Sequence, residues 1–480
     1  VHLGWSGNHR LAVESFKDGR ALVMAEGLLL PGEVRLAPGE SLASPVLYAA
    51  VSTLGLNGLS QALHRHLRAR PEHARLRARP RPVHYNSWEA VYFDYDPAVM
   101  IDLATRAAAL GIERFVLDDG WFKGRRSDRA GLGDWRVDRG VYPDGLAPLI
   151  AHVRGLGMEF GLWVEPEMVN PDSDLYRAHP EWVLATPPAP QLDFRHQLVL
   201  DFGRAEVRAH LFAAIDALLT EHPIGYLKWD MNRDLSHPGG ADCCAGARAH
   251  VLGVYAVLDR LRAAHPAVEI ESCASGGGRA DYGILARTDR IWTSDSNDAL
   301  DRVSIQRGFS HFFPPELMGA HVGPAVCHIT GRRLSIGLRV ATALIGHMGV
   351  ECDLRALETQ EAADLAAGIA LYKAERALLH SGELVRLDSP AGTSGVMIID
   401  PAGETALLAW TVLTEAGTSM GARLRLAGLE AAACYEPRLL WPPRLRAELP
   451  VASGEALCRI GLDLPRLRPE TGVIIRLTRC

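Results

Sequence analysis

The chain is poor in the features that mark several large protein classes. It carries eight cysteines in 480 residues, too few for a disulfide framework, and no Cys-x-x-Cys pair, which disfavours a zinc ribbon or a thioredoxin-type site. Cys243 and Cys244 are adjacent, poor geometry for bridging each other. The thiols are expected to be unbridged, mostly buried and in a reducing compartment, which points to the cytoplasm. No uninterrupted apolar run reaches the roughly 18 residues of a membrane span, and no secretory leader is evident. No Gly-x-Gly-x-x-Gly opens a first strand–helix turn, and Ser275-Gly-Gly-Gly-Arg279 lacks the Gly-Lys-Ser/Thr ending of a phosphate-binding loop. There is no excess of positive charge: the formal net charge is −6. Neither nucleic acid nor a membrane is expected as a partner.

What is present is an ordinary globular composition, 48% hydrophobic and 22% charged, with length for roughly two to four domains. Residues 1–63 show short alternating runs between Pro-Gly turns and read as β structure, with a helix over Ser60 to about Arg70. The arginine- and proline-rich stretch His64–Pro82 reads as a solvated linker rather than an anion-binding patch. From Val83 to about Leu379 apolar runs alternate with helical segments. The strands are expected at Val83–Trp88, Arg114–Leu117, Glu159–Val164, Gln197–Phe202, Ile224–Trp229, Val268–Ser272, Arg290–Thr293, Leu317–Val322 and Gly349–Cys352. Repeated βα units over about 300 residues favour a closed parallel barrel over an open doubly wound sheet. After Ser381 the alternating segments around Gly395–Asp400, Thr405–Thr411, Ala422–Leu426 and Gly472–Leu477 predict a small antiparallel β domain.

In a parallel barrel the ends of the strands open onto the active-site face, and here they are rich in carboxylates and tryptophans. The first ends in Tyr85-Asn86-Ser87-Trp88-Glu89, the second in Asp118-Asp119-Gly120-Trp121, the third in Trp163-Val164-Glu165-Pro166-Glu167. Later ends bring Arg195, Lys228-Trp229-Asp230, Glu271-Ser272-Cys273 and Thr293-Ser294-Asp295. Aromatic faces with charged donors and acceptors are what a sugar demands. With the two-residue period of a strand, Lys228 and Asp230 point one way and Trp229 the other. A lysine there keeps Asp230 ionised, and Asp230 is the candidate nucleophile; a structural ion pair is the alternative. Asp230 and Asp295 on different strand ends form the carboxylate pair that splits a glycosidic bond, with partial burial expected to keep Asp295 protonated. Asp298 is the nearby competitor. No metal site and no cofactor is expected, because His84 is alone on the first strand.

The motifs Lys228-Trp-Asp-Met-Asn-Arg233, Gly161-Leu-Trp-Val-Glu-Pro-Glu-Met168, Glu271-Ser-Cys273, Ile291-Trp-Thr-Ser-Asp295 and Met318-Gly-Ala-His-Val-Gly-Pro324 resemble those of the α-galactosidases of glycoside hydrolase family 36. The resemblance runs from about residue 83 to 355. It implies a (β/α)8 TIM barrel over 81–385, a C-terminal antiparallel β-sandwich over 386–480, and, over 1–80, a remnant of an N-terminal β domain plus linker, with an N-terminal portion missing. It implies retaining hydrolysis of terminal non-reducing α-D-galactose from galactosides such as melibiose or raffinose-type oligosaccharides, with Asp230 as nucleophile and Asp295 as acid/base. By motif it maps substrate binding onto Asp118, Asp119, Trp163, Arg195, Lys228, Cys273 and Ser275, with Trp88 and Asn232 as further pocket members. Ala274-Ser275 departs from the family's usual Ser-Gly. The alternatives are an α-galactosyl transferase or α-N-acetylgalactosaminidase of the same fold, or a catalytically inert sugar-binding protein. The partner is a small-molecule α-galactoside, and a homo-oligomer is compatible with the family.

Overall fold

Eight short parallel strands, each buried along its length, close into a barrel. They are β1 (His84–Asn86), β2 (Arg114–Leu117), β3 (Glu159–Val164), β4 (Tyr226–Trp229), β5 (Glu269–Ser272), β6 (Arg290–Trp292), β7 (Met318–Val322) and β8 (His347–Val350). The order round the barrel is the order in the chain, as expected when each strand is followed by a covering helix. Runs such as Arg-Phe-Val-Leu over 114–117 have no exposed alternate positions, the mark of strands covered on both faces. The computed structural model describes residues 1–74, 79–192, 194–240, 244–415 and 421–480.

The chain divides into two compact units: Val1–Ala50 with Val91–Asp102 and Val116–Trp292, and Val51–Ala90 with Leu103–Phe115 and Thr293–Cys480. In the first unit, Lys228 of β4 is level with Trp163 of β3 and Glu271 of β5, which puts their side chains on one face. The N-terminal residues form two small antiparallel pairs, His2–Gly4 with Val46–Tyr48 and His9–Ser15 with Ala21–Gly27. The strand expected over Gln197–Phe202 is not part of the barrel. Only Leu198–Val199 is extended, and it pairs antiparallel with Met168–Val169 in the excursion that follows β3. Its apolar run is buried by that local pairing, which a sequence pattern cannot distinguish from a barrel strand.

In the second unit the helix expected over Ser60 to about Arg70 is present; it starts earlier, at Gly55, and takes in the first residues of the stretch from His64. The helix Gly55–Ala69 buries Leu63, His64 and Leu67. Both of its arginines are ion-paired: part-buried Arg68 grips Glu316 through Nε at 2.6 Å and Nη2 at 2.9 Å, and Arg65 pairs with Glu383 at the exposed surface. Residues 75–78 of that stretch and Cys243 lie outside the described residues. The C-terminal sheet has six strands, in the order Glu383–Leu387, Thr393–Ile399, Thr405–Val412, Thr471–Arg479, Cys434–Trp441 and Ala452–Ser453. One face of it packs Met397, Leu408, Trp410, Tyr435 and Ile475 into a core. Thiol burial is less general than expected: Cys327 and Cys352 are buried, whereas Cys434 and Cys480 are exposed. Among the described residues no helix is long and apolar enough to cross a membrane.

Behind β4, in the first unit, a buried ionic cluster holds the strand's outer side. Trp229 Nε1 donates to Glu167 Oε1 at 2.8 Å, Arg279 Nη1 donates to the same oxygen at 2.7 Å, and His250 Nε2 lies 3.1 Å from Glu167 Oε2. Burial opposes ionisation of Glu167, but Arg279, His250 and Trp229 together outweigh it and hold the carboxyl at about 2. Arg279→Ala would leave that charge buried without its cation. Urea unfolding should show a stability loss of about 3–5 kcal/mol. A loss below about 1 kcal/mol would mean the pair behaves like an exposed one.

Candidate active site

Asp230 follows the last residue of β4, and its backbone N–H still bonds Val164 O at 2.8 Å, so the barrel ladder fixes its base. Its carboxyl is buried and receives three N–H donors. Oδ2 accepts from Trp163 Nε1 at 3.1 Å and Asn232 Nδ2 at 2.8 Å, and Oδ1 from the Met231 N–H at 2.8 Å. Donors on both oxygens leave the plane of the carboxylate little freedom to rotate. Trp163 is itself set in an aromatic wall. Phe122 stacks on it at 6.2 Å between centroids, and Trp121 Nε1 donates to its carbonyl at 2.9 Å.

Lys228 has a partner on another strand. Its ammonium bonds Asp118 Oδ2 at 2.8 Å, reaching from β4 to the end of β2. β3 lies between β2 and β4 in the barrel order, so the pair forms across the inside of the barrel, where side chains of alternate strands meet. Asp118 and its neighbour Asp119 split to different partners. Asp119 takes a bidentate grip from Arg125, Nε to Oδ1 at 2.9 Å and Nη2 to Oδ2 at 2.8 Å. Burial raises the Asp119 carboxyl above the usual aspartate range against the pull of Arg125. Gly120 makes the turn possible: it has φ +116°, and a Cβ there would meet the Tyr95 ring at 2.5 Å. Tyr95 is held by its hydroxyl, which donates to Asp118 O at 2.8 Å.

Asn232 joins Asp230 to the rest of the rim. Its Oδ1 accepts from Ser275 Oγ at 3.1 Å, and Ser275 Oγ in turn accepts from Arg195 Nη1 at 3.4 Å. Arg195, His196 and Ser275 all have left-handed backbones, with φ of 53°, 57° and 46°. Such conformations cost of order 1–3 kcal/mol each in a non-glycine residue and cluster at ligand sites. Arg195 and Ser275 are exposed. Cys273 is buried, with its N–H bonded to Trp229 O at 2.8 Å.

In the second unit, Asp295 lies in the loop after β6, and its side chain is exposed rather than partly buried as expected. Its negative charge, with those of Glu89 and Glu351, helps raise the pKa of His328, whose largest stabiliser is the hydrogen bond to Glu89; Nδ1 lies 3.6 Å from Glu89 Oε1. Trp88 is half-buried at the start of the short helix Trp88–Val91. Asp298, the competitor of Asp295, is committed elsewhere. It caps the helix Ala299–Phe309 by accepting from the Leu300 and Asp301 N–H groups and is ion-paired to Arg332 at 2.7 Å. At the ends of β7 and β8, Glu351 bridges His321 Nδ1 at 2.7 Å and Asn86 Nδ2 at 2.8 Å.

Sequence reasoning therefore named Asp118, Asp119, Trp163, Arg195, Lys228, Asp230, Asn232 and Ser275, which the first unit brings into three linked sets of contacts. It missed Arg125, Glu165, Gln197 and Glu89. Glu165 and Glu89 stood in strand-end motifs but no spacing gave them a role. Arg125 and Gln197 sit in loops, with no period to mark them. Among the described residues no group of three or more His, Cys, Asp or Glu is placed to hold a metal ion.

Comparison with known proteins matches residues 41–382 to the melibiase family. The α-galactosidase of Escherichia coli is 47% identical over an alignment covering all of this chain and 70% of that protein. α-Galactosidase AgaA of Geobacillus stearothermophilus is 39% identical, over 96% of this chain and 63% of its own length. The chain thus spans about two thirds of these relatives. The crystal structure of AgaA superposes on all of this chain and 67% of its own with a TM-score of 0.92 at 37% identity. A variant of that enzyme has been solved in complex with raffinose, with a TM-score of 0.92 over the same span. The chain belongs to the melibiase family, and within it to the α-galactosidases of glycoside hydrolase family 36.

Proposed function

We propose that the protein hydrolyses terminal non-reducing α-D-galactose from small galactosides of the melibiose and raffinose type by double displacement. The observation that carries this reading is the Asp230 carboxyl, buried at a strand end and oriented by donors from Trp163, Asn232 and Met231. In the first step Asp230 attacks the anomeric carbon and forms a glycosyl ester. The bond from that carbon to the leaving oxygen breaks, and Asp295 gives the oxygen its proton. In the second step Asp295 takes a proton from water, the oxygen of which displaces Asp230, and galactose leaves with its α configuration retained. Exposure of Asp295 leaves its carboxyl open to the leaving oxygen of the first step and to the water of the second.

Lys228 with Asp118, and Arg125 with Asp119, present fixed charges on the rim to neighbouring hydroxyls of galactose. Trp163 offers an aromatic face to the C–H side of the ring while its N–H holds Asp230. Arg195, Ser275, Cys273 and Trp88 complete the binding surface. A reducing, cytoplasmic setting fits the sparse cysteines, and galactosides short enough to enter the rim fit the relative solved with raffinose.

Asp230→Ala should lower kcat on a chromogenic α-galactoside by roughly 10³ or more, because the ester cannot form. With azide present the variant should yield the glycosyl azide of inverted configuration by NMR; a retained product would remove Asp230 as nucleophile. Asp295→Ala should slow natural oligosaccharides far more than substrates with activated leaving groups. Equal losses on both would take the acid role from Asp295. Lys228→Met, which leaves Asp118 buried without its cation, should cut kcat/KM about a hundredfold or more. An unchanged kcat/KM would separate this ion pair from substrate recognition.

A further inference from the structure

The Glu165-Pro166-Glu167 step after β3 buries two carboxyls in opposite company. Glu167 faces the cations behind β4 described above. Glu165 is fully buried and meets only neutral donors: Oε1 accepts from the Asn232 N–H at 2.6 Å and Oε2 from Gln197 Nε2 at 3.1 Å. The charged groups that face it are Asp230, Asp119 and Arg125, and the Arg125 guanidinium is committed to Asp119. A buried carboxylate without an ionic partner of its own is costly, and the neutral acid avoids that cost. The acid needs an acceptor for its proton, and one is at hand. Gln197 Oε1 is buried with no partner in the amide orientation given, and a half-turn of that amide brings it to Glu165 Oε2. Burial first, and then the charge of Asp230, pushes the Glu165 carboxyl from the usual 4.5 to about 8.

We propose that Glu165 is a positioning residue for Asp230, acting through Asn232 and remaining a neutral carboxylic acid while the enzyme turns over. The proposal rests on the reading of Asp230 as the nucleophile. Asn232 is the link: its backbone N–H is fixed by Glu165, and its side-chain amide holds Asp230 Oδ2. As a neutral acceptor, Glu165 anchors Asn232 without setting a second negative charge against Asp230. Ionisation of Glu165 would force two buried carboxylates apart and carry Asn232, and with it Asp230, out of line. Two pH effects follow. Activity is lost as Glu165 gives up its proton, near pH 8. Stability falls at lower pH, from 4.5 up to about 8, because over that range the folded chain holds this proton whereas the unfolded chain releases it.

The test is the pH dependence of kcat and of Tm for the wild type, Glu165→Gln and Glu165→Ala. The glutamine keeps the acceptor for Asn232 and cannot ionise. It should preserve kcat below pH 7 within about threefold, move the alkaline fall upward by about one pH unit or more, and flatten the decline of Tm with pH. The alanine removes the anchor and should lower kcat at every pH, leaving KM less affected. An alkaline fall at the same pH in Glu165→Gln as in the wild type would overturn the proposal. If the glutamine variant does not fold, the wild type decides: a log kcat profile with no bend between about pH 7 and 9 would overturn it. Covalent trapping with a mechanism-based galactosyl inhibitor, followed by peptide mapping, separates the two failures. Label away from Asp230 refutes the nucleophile reading, whereas label on Asp230 with an unmoved alkaline fall refutes the role of Glu165 alone.

Discussion

Charge at the ends of buried strands is the constraint under which this molecule is built. A barrel of eight parallel strands delivers every strand's C-terminal residue to one rim, and binding a polar ligand there requires carboxylates and cations in places with little water. Each such group must find a partner or give up its charge. Lys228 finds Asp118, Arg125 finds Asp119, Glu167 finds Arg279, and Glu351 finds His321. These pairs are weak evidence of stability in themselves, since desolvation offsets most of the attraction. Their effect is to hold directional groups at fixed places on a rim where free side chains would lose that geometry.

The same constraint explains which parts could be read from sequence. Strands Arg114–Leu117 and Glu159–Val164 have the bounds expected from their apolar runs, each entered through one charged residue, because a doubly covered strand is apolar along most of its length. Gln197–Phe202 carries an equally apolar run for a different reason, local pairing with Met168–Val169, and so it imitated a barrel strand. Asp230 and Asn232 were legible as strand-end residues in an ordered set of motifs. The partner of Lys228 was not, because it lies 110 positions away on another strand. Local spacing sets Lys228 beside Asp230 on one face, and only closure of the barrel brings Asp118 to the ammonium. In the stretch His64–Pro82 the helix that runs to Ala69 carries Arg68 onto Glu316, a contact that no local pattern announces. Arginine-rich sequence reads as solvated until a buried acid such as Glu316 is known to stand opposite.

Glu165 and Glu167 show how little of a carboxyl's behaviour belongs to the residue. They share one strand end, both are buried, and a single proline separates them. One is held at about 2 and the other at about 8, a difference created wholly by what lies across from each. Their side chains leave the backbone toward different surroundings, the outer cluster for Glu167 and the rim for Glu165. No scale of residue properties separates two such glutamates; only the contacts do.

Trp229 lies between Lys228 and Asp230 in sequence and points away from both, to the outside of the barrel, where it bonds Glu167. In a strand whose side chains alternate, sliding by one position would exchange the inner and outer sets entirely. The indole cannot occupy the place of the ammonium, and the ammonium cannot replace the indole in its cage. Trp229 thus works as a keyway: it touches no ligand, but it permits only one seating of the strand. The placing of Lys228 and Asp230 on the rim therefore depends on a side chain that faces away from the chemistry, through its bond to Glu167.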